Sequence, residues 1–152
     1  MREPRYFEDF EAGQVFRSGP YRMERDAIIA FAREFDPQPQ HLSEEEAARS
    51  QFGQLVASGW HTAAVSMRLF IQGALPPIAG GGQGLGVENL IWVRPVKPGD
   101  DLHVEVEVLS MRPSRSRPDR GIMKARITTK NQAEEVVQSI VTSAMVPRRV
   151  AG

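Results

Sequence analysis

Four apolar residues, Leu102, Val104, Val106 and Val108, alternate with His103, Glu105 and Glu107. Successive side chains of a strand point to opposite faces, so this run gathers its apolar groups on one side only as a strand; a helix would scatter them round its circumference. The pattern recurs. Residues 122–130 alternate again, residues 136–146 form a further β-rich run, and residues 87–93 form another, closed by Arg94-Pro95. Turn chemistry sits at the joints: Lys97-Pro98-Gly99-Asp100, the polar segment 112–120, and Asn131-Gln132-Ala133-Glu134. Short joints between consecutive strands predict an antiparallel meander.

The first half of the chain reads differently. Residues 24–35 place Ala27, Ile28, Phe31, Ala32 and Phe35 on one helical face, and Pro37 ends the run. Ser43-Glu44-Glu45-Glu46 is a capping box that opens a short helix through Arg49. Residues 59–75 are the longest apolar helical stretch, with apolar groups on most faces, and Pro76-Pro77 stops it. A helix of that composition is expected to be buried. Residues 6–16 form an aromatic arm expected to pack on the body, with a short strand near 14–21. Residues 78–86 hold five glycines and lack the Lys-Ser/Thr end of a phosphate loop, so a flexible connector is expected there. Residues 147–152 read as a tail. Helices first and strands afterwards predict an α+β fold of five or six strands curled around the buried helix. The expected organisation is a single domain over 1–152, with its core at about 6–147.

Charge narrows the function. Lys plus Arg and Asp plus Glu both number 19, so no global basic field marks a nucleic-acid or membrane-surface partner. Absence of cysteine excludes disulfides and thiol chemistry and fits a reducing compartment. The N-terminus lacks the apolar core of a signal peptide, and no run is long and apolar enough to span a bilayer. A cytoplasmic protein is expected.

The chemistry-bearing residues cluster between Phe35 and His61. In Asp36-Pro37-Gln38-Pro39-Gln40-His41 a carboxylate and an imidazole lie five residues apart on a peptide stiffened by two prolines. Each proline biases the residue before it toward extended geometry, so Asp36 and Gln38 are expected extended and the segment bent. Such a pair can position and deprotonate a water; equally, Asp36 ends a helix and His41 lies on the surface. Ser58-Gly59 opens the apolar helix, where unpaired N–H groups and the positive dipole end suit an oxyanion or a thioester carbonyl, or where the two residues simply cap it. His61, in the first turn of that helix, either lines that site or fills a core or capping role. His103 alternates outward and is expected at the surface. Three scattered histidines without cysteine give no zinc spacing, and no metal or other cofactor is expected. No Gly-x-Ser-x-Gly marks a serine nucleophile.

These residues carry a resemblance. Asp36-Pro37-Gln38-Pro39-Gln40-His41 resembles the Asp-x-Asn-Pro-x-His signature of the MaoC-like dehydratases, which include the (R)-specific enoyl-CoA hydratases. Phe52-Gly53 and Val56-Ala57-Ser58-Gly59 resemble the family's approach to its central helix. Residues 92–100, Trp-Val-Arg-Pro-Val-Lys-Pro-Gly-Asp, resemble its strand followed by an Arg-Pro-Val-x-Pro-Gly-Asp turn. The resemblance implies a hotdog fold, an antiparallel sheet wrapped around a central helix, assembled as a homodimer or a dimer of dimers. It implies a hydratase or dehydratase acting on an acyl-CoA. Asp36 and His41 would hold the water, and the Gly59 N–H would bind the thioester oxygen, with Ser58, Gln38 and His61 nearby. Departures from the pattern are Gln38 for Asn, Ser58 for His, and Met67, beside Ser66, at the helix position where hydratases carry a serine. The other readings are a non-catalytic hotdog module that binds acyl thioesters and a hotdog thioesterase. The second expects an acid on the central helix, and residues 59–75 contain no Asp or Glu.

Overall fold

Strand β4 (Asp101–Pro113) buries every apolar residue of the alternating run: Leu102, Val104, Val106 and Val108 are all fully inaccessible. It forms the middle of the sheet with β5 (Arg120–Lys130) and β6 (Val136–Pro147). The computed structural model describes residues 2–149. Two short strands, β1 (Val15–Arg17) and β2 (Tyr21–Arg22), both pair with β4, and β3 (Gln83–Trp92) pairs with β6. All pairings are antiparallel, in the order β1-β4-β5-β6-β3. The expected strand near 14–21 is therefore two pieces, broken at Ser18-Gly19-Pro20.

Helix α1 (Arg25–Phe35) buries Ile28, Ile29 and Ala32. The expected stripe is thus rotated: Ala27 is exposed and Phe35 is 65% exposed. Two short helices follow, α2 (Pro39–Leu42) and α3 (Glu44–Ala48), and the Ser43 hydroxyl caps α3 by accepting the Glu46 N–H at 3.1 Å. Helix α4 (Gly59–Arg68) runs along the sheet and continues as a π-helical stretch, Leu69–Ala74. This layout is the hotdog arrangement, α+β, with β4, β5 and β6 wrapped against a central helix.

Two expectations are corrected. The central helix is not buried all round. Thr62, Val65, Ser66, Leu69 and Phe70 face the sheet, whereas Trp60, Ala64, Met67 and Ile71 form an outward stripe at helical spacing. Apolarity on all faces predicts burial only when all faces meet protein of the same chain. The glycine-rich run is not a loose connector either. Gly80 and Gly81 take positive φ in a turn, and from Gln83 onward the chain is strand, with Gln83 opposite Met145 and Gly84 opposite Ala144. Backbone pairing needs no side chains, so it left no periodicity to read.

The aromatic arm packs as expected. Phe10 is buried and meets Phe16 edge-on at 6.4 Å, and the Phe7 ring lies directly over Gly121. The C-terminal segment is docked to this arm through 149: Arg149 binds both oxygens of Asp9 at 3.1 and 2.8 Å. The rest of the expected tail, 150–152, lies outside the described residues. Among the described residues no helix is long and apolar enough to cross a membrane.

Candidate active site

The end of α1 and the start of α4 converge on one carboxylate. Asp36 leaves α1 at φ −152°, ψ 69°, and Gln38 is extended. Pro39 then starts α2, where its fixed φ suits a first helical turn and its missing N–H costs nothing. The second proline therefore opens a helical turn, and that turn swings His41 back over Asp36. His41 is 6% exposed, and its Nε2 lies 3.4 Å from Asp36 Oδ2.

The segment before α4 locks this geometry. Val56 N–H donates to the Gln40 carbonyl at 3.1 Å, and Ala57 N–H donates to the Val96 carbonyl at 2.8 Å. His41 Nδ1 stands 2.6 Å from the Val56 carbonyl oxygen. That oxygen can only accept, so Nδ1 carries the proton and Nε2 is the nitrogen turned toward Asp36; in the neutral ring that nitrogen presents a bare lone pair. A carboxylate and an imidazole lone pair cannot bond to each other. A water seated beside the pair can donate one hydrogen to each.

Asp36 is held on both oxygens. Gln38 Nε2 donates to Oδ1 at 2.7 Å and the Ser58 hydroxyl donates to Oδ2 at 2.6 Å. Burial alone pushes the carboxyl up, but the Ser58 and Gln38 hydrogen bonds, joined by the charge of His41 when that ring is protonated, hold it below the ordinary carboxylate value. Asp36 is therefore ionised at neutral pH.

The pair opens into a cleft of about 490 Å³. Gln38, Gly59, Trp60, Trp92 and Val137 are among its walls. That size and apolar character suit a small-molecule site. At the N-terminus of α4, the Gly59 N–H has no hydrogen-bond partner among the described residues. The Trp92 indole also packs directly over Gly59: a Cβ there would fall 2.4–2.8 Å from three ring carbons. Trp92 is in turn fixed by its Nε1–H donating to Gln138 Oε1 at 3.0 Å and by Trp60, edge-on at 5.2 Å.

The remaining sequence candidates lie outside the cleft wall. Ser58 is fully buried, with its hydroxyl on Asp36 and on the Trp60 N–H. His61 stacks on Phe31 at 4.7 Å with rings 6° from parallel, and its Nδ1 is buried without a protein partner. Burial pushes its pKa below the ordinary histidine value, so this ring is neutral. Ser66 is buried and bonds Thr129 Oγ1 at 2.7 Å. His103, expected at the surface, is half-buried beside Glu134 at 3.2 Å. With Glu105 these make a cluster of ligand-type atoms, but Lys130 Nζ sits 3.1 Å from Glu105 and 3.9 Å from Glu134 and supplies the cation. Trp92 was missed as a site residue. Its available signal was the strand-ending aromatic just before Arg94-Pro95, inside a motif otherwise read only as a strand and its turn.

Comparison with known proteins agrees with the fold. Residues 9–132 match the family model described as a MaoC like domain. The 3-hydroxybutyryl-CoA dehydratase of Methylorubrum extorquens is 34% identical over 115 residues, spanning 74% of this chain and 69% of that protein. The crystal structure of the MaoC-like dehydratase from Rhodospirillum rubrum superposes with a TM-score of 0.90 at 51% identity, covering 96% of this chain and 99% of that one. An unliganded R-hydratase from Pseudomonas aeruginosa superposes at a TM-score of 0.75 and 31% identity, covering 95% and 86%. With the family model spanning most of the described residues and a half-identical neighbour overlaying nearly all of them, the chain belongs to the MaoC-like dehydratase family.

Proposed function

We propose that this protein is an enoyl-thioester hydratase, adding water reversibly across the 2,3-double bond of a trans-2-enoyl-CoA to give the (R)-3-hydroxyacyl-CoA. The observation that carries the reading is the Asp36–His41 pair, a half-buried carboxylate and a buried imidazole 3.4 Å apart that open into an apolar cleft. Its place in a family with dehydratase and hydratase relatives supports it.

The chemistry follows from the protonation states. A water donating to Nε2 of His41 and to Asp36 Oδ2 keeps its oxygen lone pairs free. As that oxygen bonds to C3 of the enoyl group, His41 Nε2 takes one proton from it and Asp36 balances the imidazolium charge. Electron density moves to the thioester oxygen, where the free Gly59 N–H at the positive end of α4 stabilises the enolate. His41 returns the same proton to C2 on the same face. Water is consumed, one C–O and one C–H bond form, and no cofactor is required.

The test is an absorbance assay on a panel of short, branched and carboxylated trans-2-enoyl-CoAs, with free thiol followed in parallel. Loss of the conjugated double bond without thiol release is the expected result. Thiol release would make the protein a thioesterase, and silence in both channels would leave a binding module.

The assembly belongs to the same proposal. Strand β3 ends the sheet, and its Leu85, Val87 and Ile91 are 47–56% exposed. Trp60, Met67 and Ile71 are exposed as well, and exposed apolar groups beside an open sheet edge are of the kind that association covers. A second copy of the chain is the expected partner. Sedimentation should show a dimer, or a dimer of dimers, and Val87→Lys, away from the cleft, should shift it to monomer without unfolding it. A wild-type monomer would end this reading of the surface.

A further inference from the structure

Gln38 and Ser58 are positions at which the chain departs from the family motifs, and both side chains end on the same carboxylate. The torsion that orients a carboxylate is broad and two-fold, so Asp36 has no strong rotamer preference for the plane that faces His41. Hydrogen bonds must supply it. Gln38 takes Oδ1, and Ser58 takes Oδ2, the oxygen that lies 3.4 Å from His41 Nε2. Ser58 is fully buried and does not line the cleft, so its hydroxyl acts on protein groups. The same oxygen accepts the Trp60 N–H at 3.2 Å and caps α4. One hydroxyl thus joins the end of α1 to the first turn of α4, the turn that begins with Gly59.

We propose that Ser58 is a positioning residue for hydration: its hydroxyl fixes the Asp36 carboxylate relative to both His41 and the α4 N-terminus. This rests on the hydratase reading and adds the element that holds the acid–base pair and the oxyanion donor in one fixed relation. Small misplacements of reacting groups are expensive; about 1 Å can cost roughly 100-fold in rate.

Ser58→Ala and Ser58→Gly both remove the donor, but glycine is nearly as good an N-cap as serine. A loss common to both variants therefore belongs to the contact with Asp36 and not to helix capping. Both are expected to lower kcat roughly 10- to 100-fold, the worth of one hydrogen bond to a charged group, with KM nearly unchanged. The Asp36 carboxyl, followed by carbon NMR without substrate and assigned by its loss in Asp36→Asn, should titrate at higher pH in both, because a bond to the ionised form is gone. Ser58→Thr, which keeps a hydroxyl, should recover most of kcat and the low titration. An Asp36 titration unchanged in the alanine and glycine variants would overturn the proposal, as would a kcat within twofold of wild type. If Ser58→Thr does not fold, the alanine and glycine pair decide. If wild-type protein turns over no enoyl-CoA, the hydratase reading falls, and the substrate-free titration separately decides whether Ser58 holds Asp36.

Discussion

His41→Ala is expected to lower the hydration rate roughly 100- to 10,000-fold, the range for removing a positioned general acid–base group. Stability should fall far less. The imidazole makes one hydrogen bond to protein, to the Val56 carbonyl, and leaving that buried acceptor unsatisfied costs about 1–3 kcal/mol. The segment that carries it is also tied by backbone bonds from Val56 to Gln40 and from Ala57 to Val96, which the substitution leaves alone. Asp36→Asn should fall in the same range of activity for a different reason. Both Asp36 oxygens accept, one from Gln38 and one from Ser58. An amide offers one acceptor and one donor, so one incoming donor must turn away, and the countercharge to the imidazolium is lost. Steady-state rates on an active enoyl-CoA, beside circular dichroism and denaturation of each variant, check both. Near-wild-type rates in both variants would make the mechanism wrong.

The meander was legible because it is a local pattern. Alternation in 102–108 named the buried face residue by residue, and Lys97-Pro98-Gly99-Asp100 closes as a turn, with Gly99 at φ 89° and Asp100 Oδ2 accepting the Lys97 N–H at 2.8 Å. The Asp36–His41 pair was legible as a spacing, but its geometry was not. The Val56 carbonyl that sets the tautomer comes from 15 residues further on, and Ser58 reaches Asp36 across 22. No periodicity reports such contacts. Likewise the glycine-rich start of β3 is held by the backbone of β6, more than fifty residues away, and the outward stripe on α4 has the same composition as a buried one.

Gly59 shows how far two readings of one residue can differ, and its replacement separates them. From sequence, glycine at the head of α4 admits a ligand to the backbone. In the structure the space its side chain would fill belongs to Trp92, whose Cδ2, Cε2 and Cζ2 carbons would lie 2.4–2.8 Å from an added methyl. These are ring atoms of an indole pinned by Gln138, itself 1% exposed, so they cannot swing aside as a flexible chain end would. Gly59→Ala must displace either the indole or the first turn of α4, and both bound the cleft. Overpacking of this kind costs about 1–3 kcal/mol of stability. The effect on rate is expected to be larger, roughly 100-fold or more, because the N–H that receives the enolate charge moves with the turn. The helix itself has no objection, since alanine is the better helix former and Gly59 does not adopt a positive φ. The cause can therefore be isolated by a double-mutant cycle with Trp92→Ala, read in both denaturation and kcat/KM. If packing against the indole is the whole reason for glycine, Gly59→Ala should become nearly neutral for stability in that background. A stability penalty that persists undiminished without the indole would remove Trp92 from the explanation.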